Sequence, residues 1–318
     1  MNFLRKHITV LAGVLAYVLL YAIASARYDG FFSLPVFTNF LSNNAVLGIV
    51  AVGMTFVILS GGIDLSVGAV MSFSSVLIGV LVMDYHWHVL AAIGVAVACG
   101  TALGAVMGAV IHATGIKPFI VTLAGMFFAR GLAFIIHLES IAIVDPRHTA
   151  IMTLHLGPLP VTALLFLGFV AVGWYVAVFT PFGRNVYALG GSEEAALLMG
   201  LPVKHTRIAV YAVSGFCASF AGAALTFYLS SGSHLEGVGM ELDAIATVVI
   251  GGTLLRGGAG SVLGTLVGVL MLGLILTSIT TYEGMMSSGM TRVAIGVLLL
   301  SFVLLQKLLT RRFVVTAR

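Results

Sequence analysis

Charge is what this chain has least of. Only 8% of its 318 residues are Asp, Glu, Lys or Arg, whereas a soluble domain carries roughly 25%. With 60% hydrophobic residues and a mean hydropathy of +1.16, that scarcity excludes a soluble fold and points to a polytopic membrane protein. Cysteine is nearly absent too: Cys99 and Cys217 both lie inside apolar runs, so neither a disulfide framework nor a metal cluster follows, and both read as core residues. No G-x-x-x-x-G-K-S/T phosphate loop occurs, so the chain does not itself bind ATP in that manner. Ser72, Ser74 and Ser75 lie close together but lack a His and an acid in a nucleophile setting, which leaves a membrane-embedded enzyme without a catalytic group; they read as bridges between helices. His112 and His137 are isolated, with no metal-ligand spacing. The net charge of +4 comes from 15 Lys and Arg placed largely at segment ends, where they orient helices rather than bind nucleic acid.

Apolar runs fill most of the rest. Separated by polar, Gly or Pro breaks, they predict an all-α membrane domain over 1–318 with about ten spans, at 8–26, 42–60, 66–83, 89–112, 119–137, 159–179, 208–229, 242–255, 261–280 and 290–309. The first is preceded by "RKH" and ends in "ASA", as a cleavable leader does, but its nineteen residues exceed the roughly 7–15 of a leader core. It reads as an uncleaved helix. With the N-terminus in the cytoplasm, the inner side collects Arg5, Lys6, Lys117, Arg184, Lys204, Arg207, Arg256, Lys307, Arg311, Arg312 and Arg318. The outer side has Arg27, Arg147 and Arg292, and Arg130 falls within a span: eleven in, three out and one buried make up the 15. That asymmetry puts both termini in the cytoplasm.

Glycine is abundant, 38 of 318 residues, and patterned. Gly100, Gly104 and Gly108, and again Gly260, Gly264 and Gly268, are four apart, the spacing that lets helix backbones approach in lipid. "SGGIDLSVG" at 60–68 and "GGTLLRGGAG" at 251–260 are Gly-rich joints between consecutive apolar runs. Non-helical backbone survives at membrane depth only where protein or a water-filled cavity satisfies it, so both read as broken helices beside a pathway. Spans 2–5 begin outside and spans 7–10 inside, which suits an inverted repeat.

Positive-inside counting places 181–207 on the cytoplasmic face as the longest inner loop. Within it, Ser192 is set to cap a helix whose first turn holds Glu193 and Glu194, at the positive end of the dipole. Gly200 suits a left-handed exit and Pro202 blocks continuation. The result is two turns, too short to stand alone. Ala195 and Ala196 keep it thin, and Leu198 and Met199 give it an apolar face, a shape made to enter a groove on another protein.

Ionisable groups inside the membrane domain are functional candidates. Asp64 reads first as the N-cap of a helix starting at Leu65, or else as a pathway or gate residue, and Ser66 beside it joins it. Arg130, eleven residues into its span, is either a structural tie or a pathway residue. Glu236, Glu241 and Asp243 gather at the outer start of span 8, favouring a helix N-terminus or meeting an outer partner, with Thr247 a turn further on. Asn43 and Asn44, at the outer end of span 2, either cap or hydrogen-bond a polar solute.

"EAALLMG" (194–200) resembles the Glu-Ala-Ala-x-x-x-Gly loop of permease subunits of ABC importers. Together with "GGIDLSVGAV" (61–70), "IKPFIVTLAGMFFARGLAF" (116–134), "GRNVYALGG" (183–191) and "ELDAIATVVIGGTLLRGGAGSVLGTLVG" (241–268), it resembles the branch importing ribose, arabinose, xylose and related sugars, over nearly the whole chain. Within the branch the resemblance is greatest to galactofuranose-importing permeases. It implies a monosaccharide path from periplasm to cytoplasm across the bacterial inner membrane, with Arg184, Glu193, Glu194, Ala195, Ala196 and Gly200 meeting a separate cytoplasmic ATPase that carries ATP-Mg. It also implies a second permease copy or paralogue, a periplasmic sugar-binding protein, and no cofactor on this chain. The alternative, a secondary transporter driven by an ion gradient, needs intramembrane acids, and only Asp64 and Arg130 stand out. If the orientation holds, a green fluorescent protein fused after Arg318 fluoresces and an alkaline phosphatase fused there is inactive; the reverse pattern inverts the topology.

Overall fold

The computed structural model describes residues 2–27 and 30–277 together with 293, 296, 297 and 300, without side chains for 2–12, 16 and 277. The expected tenth span, 290–309, therefore lies outside the described residues but for four of its positions. The helices run in chain order as α1 (Asn2–Arg27), α2 (Leu34–Asn43), α3 (Ala45–Leu59), α4 (Val67–Met83), α5 (Val89–Thr114) and α6 (Pro118–Ile136). A segment with two antiparallel ribbons of two-residue strands follows: β1 (Ile141–Ala142), α7 (Pro146–Met152), β2 (His155–Leu156) and β3 (Leu159–Pro160). Then come α8 (Val161–Phe179), α9 (Pro181–Gly191), α10 (Glu193–Leu198), α11 (Val203–Leu229), β4 (Ser231–Gly232), α12 (Met240–Ile250) and α13 (Val262–Thr277).

Among the described residues, α5, α6, α8 and α11 are long and apolar enough to cross a membrane alone, and α2 with α3 makes a fifth span bent by 53°. About ten spans with broken-helix joints were expected over the whole chain; among the described residues α4 and α13 are apolar too, but shorter. The run 42–60 forms α3 over Ala45–Leu59, and the bend lies at its start, at Asn44, whose side-chain amide donates to the Phe40 carbonyl of the unexpected α2 at 2.8 Å. The run 242–255 yields only the 11 residues of α12. The helix ends follow local chemistry: Pro118 opens α6, and Gly115 closes α5 at φ +68°.

The hub is α11, with 67% of its apolar window buried against 17% for α6; it packs on α5, α3 and α4. The glycines of α5 face it. A methyl group at Gly104 would overlap the Tyr211 carbonyl, and one at Gly108 would lie 2.9 Å from the Ile208 Cα. Gly264 and Gly268 similarly bring α13 against Gly251 and the Thr247 carbonyl of α12. These contacts join main chain to main chain, which is how helices gain dispersion energy when lipid is as apolar as they are. A buried hydrogen bond joins α3 to α13, between the Thr55 and Thr265 hydroxyls at 2.7 Å.

Two helices start inside the bundle. After β4 the chain runs extended along α4: Gly232 packs on Ser75, the Ser233 carbonyl accepts from the Ser72 hydroxyl at 2.9 Å, and Gly237 reaches Gly68. There α12 begins, back to back with the start of α4, and departs the opposite way, toward Gly264. Glu241, expected at the outer rim, thus lies beside Gly68. The far end is closed by α7 and the ribbons. Ile141 pairs with Gly232, and Asp145 caps α7 through the Arg147 and His148 amides at 2.8 and 3.2 Å. The Arg147 side chain, hydrogen-bonded to the same carboxylate, holds its pKa down at about 2.

Substituting Ala at Gly104 forces α5 off α11 and destabilises the protein by about 1–3 kcal/mol, the range for overpacking, whereas Gly94→Ala, with nothing within 4 Å, does not. Thermal unfolding in detergent measures the difference, and equal melting of the two variants would refute the packing argument.

Candidate functional site

The end of the bundle that carries Lys117, Arg184, Lys204, Arg207 and Arg256 also carries the short charged helix. Its construction begins at Thr180, whose hydroxyl donates to the Val176 carbonyl at 2.6 Å and accepts from the Gly183 amide at 3.2 Å. That starts α9 with Pro181 at its first position. Ser192 closes α9, its amide donating to the Ala188 carbonyl at 3.1 Å, and opens α10, its hydroxyl accepting from the Ala195 amide at 3.2 Å. One residue therefore serves both helices, with no slack between them. At the far end Gly200 turns left-handed at φ +72°, and the Leu201 amide returns to the Ala196 carbonyl at 3.0 Å, the paired-bond exit that glycine makes accessible.

The base of α10 is fixed and its tip is bare. Ala196 is wholly buried against Leu189, Leu201 and Val203, so it braces the helix on its own chain. Glu193 pairs with Arg207 of α11 at 2.5 Å, with 48% and 19% of the two side chains exposed; such a half-wet pair is worth up to about 1 kcal/mol. Outward stand Arg184, Glu194, Ala195, Gly200 and the apolar tip: Leu197 57%, Leu198 90% and Met199 66% exposed. Isolated exposed leucines are ordinary. Three in a row on a capped helix, on the polar end of the bundle, make an apolar patch ringed by charge.

Behind α9 the two glycine joints meet. The Gly258 amide donates to the Leu59 carbonyl at 2.9 Å, tying 251–261 to the end of α3. A methyl at Gly190 would overlap that same carbonyl and lie 2.6 Å from the Gly258 nitrogen. Gly257 packs on Gly61, and both have positive φ, +85° and +84°. The Tyr187 hydroxyl, one turn back on α9, donates to the Gly260 carbonyl at 2.9 Å, and burial pushes its pKa up.

The remaining candidates are dispersed. Asp64 is fully buried. The helix after it starts at Val67 rather than Leu65, because Ser66 occupies the cap position while its amide and hydroxyl both donate to Asp64 Oδ1, at 2.9 and 2.6 Å. Ser214 of α11 donates to Oδ2 at 2.7 Å. Three donors on one carboxylate offset much of its desolvation. Tyr211 covers Gly62 beside it. Arg130 donates to the His234 and Glu236 carbonyls at 2.6 and 3.0 Å, so it ties α6 to the extended segment that precedes α12. Asn44 lies buried under Gly273, and Asn43 accepts from the Tyr228 hydroxyl at 3.3 Å. Thr247 donates to the Ala244 carbonyl of its own helix at 2.8 Å, and Asp243 lies half-buried in the first turn of α12. The structure brings Asp64 and Ser66 together, and Asn43 and Asn44, but not these groups with Arg130 or Thr247. Sequence reasoning missed Tyr187, Gly190, Arg207 and Ser214 as partners. The 150 residues between Ser214 and Asp64 leave no local signal.

The family described as branched-chain amino acid transport system / permease component matches residues 36–305. The chain is 45% identical over 312 residues to the inner membrane ABC transporter permease protein YjfF of Escherichia coli (strain K12), covering 96% of this chain and 94% of that one. It is 37% identical over 287 residues to the ribose import permease protein RbsC of Haemophilus influenzae, covering 87% and 88%. With the fructose import permease protein FruG of Bifidobacterium longum it shares 35% over 319 residues, covering 95% and 92%. No solved structure matches the chain.

Removing the shared cap with Ser192→Ala costs about 1 kcal/mol, so amide exchange across 193–198 should speed up about fivefold while the buried turns of α11 keep their rates. Unchanged exchange in α10 would show that the cap does not hold it.

Proposed function

Because the chain belongs to the branched-chain amino acid transport system / permease component family, and within it to the ribose- and arabinose-type sugar ABC importer permeases, we propose that it carries a monosaccharide across the inner membrane by alternating access, driven through α10. The chain is a multi-pass inner-membrane permease and does no chemistry of its own, since the ATPase of such importers is a separate subunit. A periplasmic binding protein delivers the sugar, and a second permease, copy or paralogue, completes the path. Both termini face the cytoplasm, and the whole chain makes about ten spans as an inverted repeat. The opposed starts of α4 and α12 at Gly68 and Gly237 support that symmetry.

The observation that carries the coupling role is α10 itself, capped at both ends, braced by buried Ala196 and presenting Leu198 almost fully exposed. Closure of two ATPase subunits pushes this helix, and Glu194 with Arg184 sets its register in the groove. The sugar is assigned as galactofuranose on the resemblance of the five sequence blocks; ribose and fructose are the cargoes named for two relatives. Asp64, Ser66, Asn43, Asn44, Arg130, Asp243 and Thr247 line the substrate pathway or its gate in this reading, with Asp64 and Arg130 also tying irregular backbone in place.

Glu194→Lys, with membrane insertion verified, should cut uptake and transport-linked ATP hydrolysis together by at least about tenfold, equivalent to about 1.4 kcal/mol of lost coupling. Unaltered uptake would sink the coupling assignment. In proteoliposomes holding the full importer, ATP-dependent uptake of labelled galactose should exceed that of ribose and fructose; no ATP-dependent uptake of any of the three would overturn the sugar reading.

A further inference from the structure

The coupling reading leaves open how a push on one short helix reaches helices elsewhere in the bundle. Resting on that reading, we infer that Gly190 and Tyr187 are positioning residues that transmit displacement of α10 to both broken-helix joints at once.

The geometry is specific. The joint 251–261 is tied to the end of α3 by the hydrogen bond from the Gly258 amide to the Leu59 carbonyl, 2.9 Å long, and to the joint 60–66 by the packing of Gly257 on Gly61. Gly190 sits on that bond, so close that no side chain fits between it and either atom. The Cα of Gly190 lies 3.0 Å from where a methyl at Gly257 would be, and a methyl at Gly258 would lie 2.8 Å from the Cα of Gly191. The end of α9 is thus wedged between the two joints rather than resting on one. Tyr187 adds a directional tie to Gly260, whose φ of +151° no ordinary side chain adopts readily. On the other side, only Gly191 separates Gly190 from Ser192, the residue that ends α9 and starts α10. Buried Leu189 and Ala196 lock the two helices together.

Rigid contact therefore runs from the exposed tip of α10 through the end of α9 to two segments whose backbones hold positive φ at Gly61, Gly257, Gly258 and Gly260. Such segments can take up rotation without breaking helices. One leads to α4 through Asp64 and the other to α13. A single displacement moves both halves of the bundle in step, as alternating access requires.

The test uses the whole importer in proteoliposomes, with its ATPase and binding protein, and reads labelled galactose transported per ATP hydrolysed. That ratio is indifferent to how much complex assembles, so a merely structural defect does not move it. Gly94→Ala, on α5 away from the relay and with nothing within 4 Å, should keep the wild-type ratio. Gly190→Ala should retain the ATPase on purification yet lower the ratio about fivefold or more, as overpacking at a backbone contact implies. Tyr187→Phe, which keeps the shape and removes one hydrogen bond, should lower it about threefold. Wild-type ratios in both Gly190→Ala and Tyr187→Phe would overturn the inference while leaving the coupling reading intact if Glu194→Lys still abolishes uptake. Full uptake in Glu194→Lys would instead remove the reading on which it rests. Should Gly190→Ala fail to assemble, Tyr187→Phe decides alone: a lowered ratio supports the relay and an unchanged one refutes it.

Discussion

Backbone-to-backbone contact at glycine is the constraint on which this molecule depends. Lipid offers helices no hydrophobic reason to associate, because its tails are as apolar as leucine. What remains is close packing, and the closest packing brings peptide groups of two helices together with no side chain between them. At Gly104 on Tyr211, Gly268 on Thr247 and Gly190 on Leu59, a single methyl group would overlap a carbonyl. The first two sites hold helices; the third holds joints. The same device thus packs helix on helix at the first two sites and, at the third, sets the end of α9 on the end of α3 beside joint glycines of positive φ.

The polar groups obey a second constraint, that backbone broken at membrane depth must find partners in the protein. Arg130 supplies donors to two carbonyls of the extended segment before α12. Asp64, with Ser66 and Ser214, closes the turn after α3. These residues looked like candidate transport groups because they are charged in an oily chain. The cap and structural-tie alternatives describe the bonds they make: Arg130 to main-chain carbonyls, and Asp64 to Ser66 beside it and to Ser214 of a neighbouring helix.

Much of this was legible in the sequence, and the part that was not has a physical reason. The cap at Ser192, the left-handed exit at Gly200 and the glycine faces of α5 and α13 are short-range patterns, and periodicity or spacing states them directly. The bend at Asn44 was not legible because Ser42, Asn43 and Asn44 read as the polar outer end of a single span; at the bend lies a buried amide that a neighbouring glycine on α13 makes room for. The start of α4 shifted by two residues because Ser66, not Asp64, took the cap. The 11-residue α12 and the extended stretch before it are hidden from a hydropathy window, which cannot tell a half-length helix from a full one. Above all, the meeting of 60–66 with 251–261 at Gly190 is tertiary. Each joint was recognised alone, and nothing local says that they touch.

The contact between Ser72 and Ser233 has a consequence for how the protein is made. The two residues are 161 apart in sequence, so at about 5–20 residues per second of synthesis α4 waits roughly 8–32 seconds for the segment that covers it. During that interval the nascent helix has no extended strand beside it. The Ser75 hydroxyl already donates to the Ser72 carbonyl within the same helix, at 2.8 Å, which shelters one polar group from lipid until the strand arrives. Of the two bonds, the one within α4 needs no later residue, and the one to Ser233 cannot form until the second half of the molecule has been made.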